Sequence, residues 1–214
     1  MNLLICTISG LSASSRRSDK TLPSFVNLTE FDYWWDWSDR CNNPPDPATF
    51  EAYSISKHDQ FSTDSECVEN LVKEVTKTHY KNILLVGKSL GAVRVWWAVT
   101  KYWEHFRLKL DAGCKIGVVL LDPHGAQNGD GRIGAYGLRL RYLNYLKAWD
   151  RDDFRIKAIY QRNKYPKGAR LGWGDNAENM QLSGLANHWN ITNIFTVSGQ
   201  QCSKEIIKMI KWLE

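Results

Sequence analysis

Short runs of apolar, β-branched residues alternate along this chain with segments whose apolar positions recur at helical spacing. That alternation predicts a largely parallel sheet with helices on its faces. Leu3 to Ile8 reads as a first strand, Glu30 to Trp37 as a candidate second one, and Phe154 to Gln161 as a later one. Ile83-Leu84-Leu85-Val86 and Ile116 to Leu121 are continuously apolar, as strands buried on both faces are. Thr63 and Glu66 make a capping-box pattern ahead of Val68, Leu71, Val72 and Val75, which repeat as one face of a helix. Leu90 to about Trp103 predicts a helix that is apolar almost all round and therefore central. Further helices are predicted from about Tyr136 to Trp149 and, with Ile206, Ile207 and Ile210 on one face, from Ser203 to Leu213.

Polar stretches separate these elements. Ser9 to Ser24, the Pro/Asp/Asn cluster from Asn42 to Pro47, and the glycine-rich stretch holding Gly125, Gly129, Gly131 and Gly134 read as loops. Arg162 to Asn187 is too polar and too rich in Gly and Asn to predict regular core structure. There is no internal repeat.

Composition narrows the class. The 214 residues fit one domain spanning 1–214, long enough to bury a layered core. No apolar run has membrane-spanning length, so stable membrane insertion is not expected. The apolar opening lacks a basic segment ahead of it and breaks at Ser9-Gly10, which reads as a strand and not an export signal. Five scattered cysteines (Cys6, Cys41, Cys67, Cys114, Cys202) show no metal-ligand spacing and read as free thiols, pointing to the cytoplasm. A net charge of +5 spread along the chain, with no recognition motif, argues against a nucleic-acid partner. The ten tryptophans read as core and pocket wall. Among the aromatics, the run Phe31, Tyr33, Trp34, Trp35 and Trp37 reads as a buried strand, with the wall of an acyl or glycan pocket as its functional alternative. Oligomeric state is not legible.

One motif carries chemistry. An apolar strand, then Gly87-Lys88-Ser89-Leu90-Gly91, then a helix, is the order a nucleophile elbow requires. A serine hydroxyl attacks only when it is exposed at a tight turn, held near a base and placed at a helix N-terminus. Gly87 and Gly91 fit because strand and helix cross too closely there for side chains. A rival reading is a P-loop ending in Gly87-Lys88-Ser89, with Val118 to Asp122 as its acidic strand. That loop requires glycine at position 82, where Asn82 stands, and a phosphate-wrapping segment where this chain has Ile-Leu-Leu-Val. An ordinary turn without chemistry is the remaining alternative.

The motif and its surroundings resemble the α/β-hydrolase superfamily, lipase-like esterases in particular. Gly-Lys-Ser-Leu-Gly-Ala at 87–92 is similar to the Gly-His-Ser-Leu-Gly-Gly/Ala elbow of that group, and Leu121-Asp122-Pro123 to the Leu-Asp-Pro of pancreatic-type lipases. Asn187-His188 resembles the loop that supplies their histidine. The likeness covers about a third of the residues in three blocks, in the superfamily's order of Ser, Asp, His. It implies a compact α/β-hydrolase with a mostly parallel sheet of about five or six strands, flanked by helices, and no separate cap domain.

The resemblance further implies a serine esterase with Ser89 as nucleophile, His188 as base and Asp122 as acid, acting on a small-molecule or lipid-like ester without metal or organic cofactor. Asp175, in the later Gly/Asn-rich loop, is the alternative acid. His188 is the one histidine that follows the acid strand on a loop near the C-terminus; His124 is the nearest rival, two residues past Asp122. The oxyanion hole is expected at the N–H groups of Leu90 and Leu11. Lys88 stands where lipases commonly have histidine, and reads first as a solvated side chain and second as a cation for an anionic substrate group. An acyltransferase or thioesterase using the same triad, and a non-catalytic binding protein, are the functional alternatives.

Overall fold

The computed structural model describes residues 3–8, 50–55, 64–77, 80–124, 151–163, 167–171, 177–182, 184–188, 190–191 and 196–214. Its elements run β1 (Leu3–Ile8), β2 (Phe50–Ile55), α1 (Asp64–Val75), β3 (Asn82–Lys88), α2 (Leu90–Lys101), α3 (Trp103–Asp111), β4 (Lys115–Leu121), β5 (Phe154–Gln161), β6 (Ala177–Leu182) and α4 (Val197–Leu213). The strands form one six-stranded sheet in the order β2-β1-β3-β4-β5-β6, and every neighbouring pair is parallel.

Side chains alternate across each strand, so the apolar runs divide between two layers. Ile83, Leu85, Ile116, Val118 and Leu120 pack with α1, α2 and α3 on one face. On the other, Leu84, Val86, Val119 and Leu121 pack against Cys202, Ile206, Met209, Ile210 and Leu213 of α4. The strand order reverses between β1 and β3, and in open parallel sheets the crevice beyond the strand C-termini at such a reversal is where ligands bind. β1 ends with Ile8 opposite Gly87 of β3.

Four expectations need correction or placement. The strand beside β1 is Phe50–Ile55, whereas Glu30 to Trp37 lies outside the described residues, as do the glycine-rich loop after His124 and the helix expected from Tyr136 to Trp149. Arg162 to Asn187 is not irregular throughout, because it contains β6. β6 ends the strand order, half of its positions face solvent, and Glu178 pairs with Lys157 at 2.6 Å, so a polar sequence suffices. The helix from Leu90 ends at Lys101, close to its expected end, with Tyr102 at φ −114°, and the unexpected α3 follows. Just before Tyr102, Thr100 Oγ1 donates to the carbonyl of Trp96 at 2.8 Å, a side-chain bond that competes with the helix ladder. Finally, α4 begins at Val197, six residues ahead of the Ser203 start expected from the sequence, because Thr196 Oγ1 accepts the Gly199 N–H at 3.0 Å and caps it.

Candidate active site

Between the last residue of β3 and the first of α2 stands Ser89 alone. Such a turn forces φ to 56° and ψ to −122°, a region that non-glycine residues enter only under strain. Three main-chain bonds hold it: the Ser89 N–H donates to Leu121 O at 2.9 Å, and Ser89 O accepts from His124 N at 3.2 Å and Val93 N at 3.3 Å. Gly87 is obligatory on steric grounds, since a Cβ there would lie 2.6 Å from both Ala92 Cα and Gly91 O. The four residues that a P-loop would wrap around phosphate are instead buried strand. Ser89 Oγ, in a side chain 8% exposed, donates to His124 O at 3.4 Å, and Leu90 supplies the first N–H of α2.

Asp122 directly follows β4 and is also strained, with φ 44°. Among the described residues, Ser89 and Asp122 are the two non-glycine positions with positive φ. The Asp122 carboxylate is wholly buried, and its oxygens are fully engaged. Oδ1 accepts from Gln161 N at 3.0 Å, while Oδ2 takes Gln161 Nε2 at 3.3 Å and lies 2.6 Å from His188 Nδ1. Gln161 is oriented in turn, because its Oε1 accepts the Asn163 N–H at 2.9 Å. Gly168 closes the other side; a Cβ there would fall 1.9 Å from Asp122 Oδ1.

His188 is 4% exposed and sits in a turn that asparagines tie shut. Asn187 and Asn190 bond reciprocally, each side-chain oxygen accepting the other's N–H, at 2.8 and 3.0 Å. Asn190 Nδ2 also donates to Leu185 O at 2.9 Å. From the end of β5, Asn163 Nδ2 reaches Gly184 O at 2.9 Å and Ala186 O at 3.1 Å. This bonding fixes the imidazole with its Nδ1 on Asp122, so that Nε2 is the ring nitrogen turned away from the carboxylate.

His124 lies edge-on to His188, ring centroids 6.0 Å apart at 70°. Burial, and after it the charge of His188, hold its pKa below the ordinary histidine value. Lys88 corrects a reading: it is not a solvated side chain but is only 7% exposed. Strand alternation sends it to the same face as Val86, toward α4, where Cys202 is fully buried. Burial pushes the ammonium down to about 8, against the smaller opposing fields of Asp122 and Cys202. Burial likewise pushes the Cys202 thiol far up.

The structure thus brings Ser89, Asp122, His124 and His188 to one sheet edge. Leu11, Asp175 and the aromatic run from Phe31 lie outside the described residues. Gln161, Asn163 and Gly168 escaped the sequence reading, although a glutamine closing an otherwise apolar strand end was a usable signal. Among the described residues no group of three or more His, Cys, Asp or Glu is arranged to hold a metal ion, and no helix is long and apolar enough to cross a membrane.

No protein-family model matches the sequence, and no match among curated proteins was found. Solved structures do match. A chain from the metagenome-derived lipolytic enzymes LipS and LipT superposes with a TM-score of 0.55 at 11% identity, covering 98% of this chain and 94% of its own. A protein assigned as a cell surface hydrolase in Lactobacillus plantarum WCFS1 gives a TM-score of 0.55 at 12% identity, over 97% and 91%. Est1E from Butyrivibrio proteoclasticus, with ferulic acid bound, gives 0.51 at 11%, over 97% and 89%. At such identities likeness speaks of architecture, and together with the parallel sheet, its order and its flanking helices it establishes that this chain has the α/β-hydrolase fold.

Proposed function

We propose that the chain is a serine hydrolase that cleaves a carboxylic ester through an acyl-enzyme on Ser89. The observation that carries this reading is a coincidence of strain and pairing: among the described residues, the two non-glycine positions held at positive φ are the serine at the strand-to-helix turn and the buried aspartate bonded to His188 at 2.6 Å. Backbone strain of this kind persists only where surrounding bonds over-determine it, and it clusters at reacting centres.

In this mechanism Ser89 Oγ leaves its long bond to His124 O, gives its proton to His188 Nε2 and attacks the acyl carbonyl. Asp122 keeps the imidazole in the tautomer with Nδ1 protonated and stabilises the imidazolium. The N–H of Leu90, with that of Leu11 from the chain after β1, receives the developing oxyanion, reinforced by the N-terminus of α2. His188 then protonates the departing alcohol, and water activated by the same ring releases the acid. A small ester suits the role, by analogy with the fold neighbours that are lipolytic or hold ferulic acid.

The test is labelling with a fluorophosphonate probe, alongside turnover of p-nitrophenyl esters of graded chain length. Wild type should label and Ser89→Ala should not. Label that persists in Ser89→Ala moves the nucleophile elsewhere, and a protein that neither labels nor turns over any ester would be a binding protein on a hydrolase fold. Adding alcohol or thiol acceptors and analysing products separates hydrolysis from acyl transfer.

A further inference from the structure

Lys88 is a buried cation that the reaction above does not use. It ends β3 opposite Leu121, the residue before Asp122, and its side chain enters the layer between sheet and α4. Among the described residues, the titratable groups that act on it there are Asp122 and, from α4, Cys202. Cys202 in turn feels Glu205, which is itself paired with Lys157 and Lys208. On its far side the Asp122 carboxylate holds His188. The carboxylate therefore bonds an imidazole at the sheet edge, itself faced by His124 with ring centroids 6.0 Å apart, and directly follows the residue paired with the strand end that carries the ammonium.

We infer that Lys88 is a positioning residue of the site, whose buried ammonium sets through Asp122 how readily His188 takes a proton. The inference rests on the reading of His188 as the base. A cation beside the pair favours the carboxylate and opposes a second positive charge on the ring, which is the direction a base that must accept the serine proton requires. An elbow lysine pointing to solvent would be screened and could not do this. Because the ammonium itself is pushed down to about 8, the device switches within an accessible pH range.

The experiment follows the His188 ring by NMR in ¹⁵N-histidine-labelled protein, assigned with His188→Gln, in wild type, Lys88→Met, Lys88→Gln and Lys88→Arg. With either neutral side chain the ring should protonate at higher pH than in wild type, and kcat/KM on the acid side should fall about threefold to tenfold relative to its plateau. Wild type should show a second inflection near pH 8, lost in all three variants, while Lys88→Arg keeps the wild-type titration at low pH because its guanidinium stays charged. Lys88→Met and Lys88→Gln that both reproduce the wild-type curve, inflection included, overturn the inference. Fluorophosphonate labelling of the same samples separates the two ideas. A moved resonance in an unlabelled wild type removes the hydrolase reading and leaves the charge coupling; an unmoved resonance in a labelled protein does the reverse.

Discussion

Replacing Lys88 by methionine should make the protein more stable at neutral pH, and by an amount that vanishes in alkali. The side chain is 7% exposed, so solvent screening discounts little of the effect. Its ammonium titrates at about 8 in the fold against 10.5 in the unfolded chain, and the difference corresponds to about 3 kcal/mol spent keeping it charged inside. The sign follows from proton binding. Below pH 8 both states hold the proton and the fold bears the whole cost; between 8 and 10.5 the folded chain has released it while the unfolded chain has not, so wild-type stability rises with pH across that window. Lys88→Met has no such proton. At pH 7 it should be about 3 kcal/mol more stable, a gain of roughly 6–12 °C in melting temperature for a chain of this size. Near pH 10.5 the two proteins should converge. Urea denaturation at half-unit steps from pH 6.5 to 10.5 measures the difference directly. A stability gap that stays constant over this range, or a variant less stable than wild type at pH 7, would refute the reasoning, since both mean that the ammonium is not confined as described.

Other expectations follow from single contacts. Asp122→Asn should leave the fold in place and lower ester turnover on the order of 10⁴-fold, as loss of the orienting carboxylate does in other triads, read as kcat on a p-nitrophenyl ester. Gly168→Ala drives a methyl toward Asp122 Oδ1, at 1.9 Å before relaxation, so it should displace the carboxylate and depress kcat far more than KM. Gly87→Ala meets main chain at 2.6 Å, where no flexible side chain can yield, and should destabilise by about 3 kcal/mol or more in urea denaturation. Thr196→Ala removes the cap of α4 and should cost about 1 kcal/mol with labelling at Ser89 retained.

The central strands were legible because strands buried on both faces must be apolar throughout, which no loop or surface helix imitates; β4 lies within a residue of its sequence reading. The elbow was legible because steric closeness demands glycine at 87. What escaped lies where the chain is polar for structural reasons. β6 is polar at Glu178, Asn179 and Gln181, all exposed, because it ends the described strand order. The asparagines of the 184–191 turn looked like loop filler, yet their reciprocal bonds fix His188; composition cannot distinguish a tied turn from a slack one. Lys88 misled for the opposite reason. A lysine is so seldom buried that exposure is the natural assumption, and only the parity of β3 reveals that position 88 faces inward.

The helix that covers one face of the sheet follows all six strands in the chain. During synthesis, therefore, Leu84, Val86, Val119 and Leu121 leave the ribosome before the α4 residues that pack on them. The turn that carries His188 also emerges late, just ahead of the same helix. A nascent chain stalled before Val197 would lack every α4 side chain that packs on this face of the sheet.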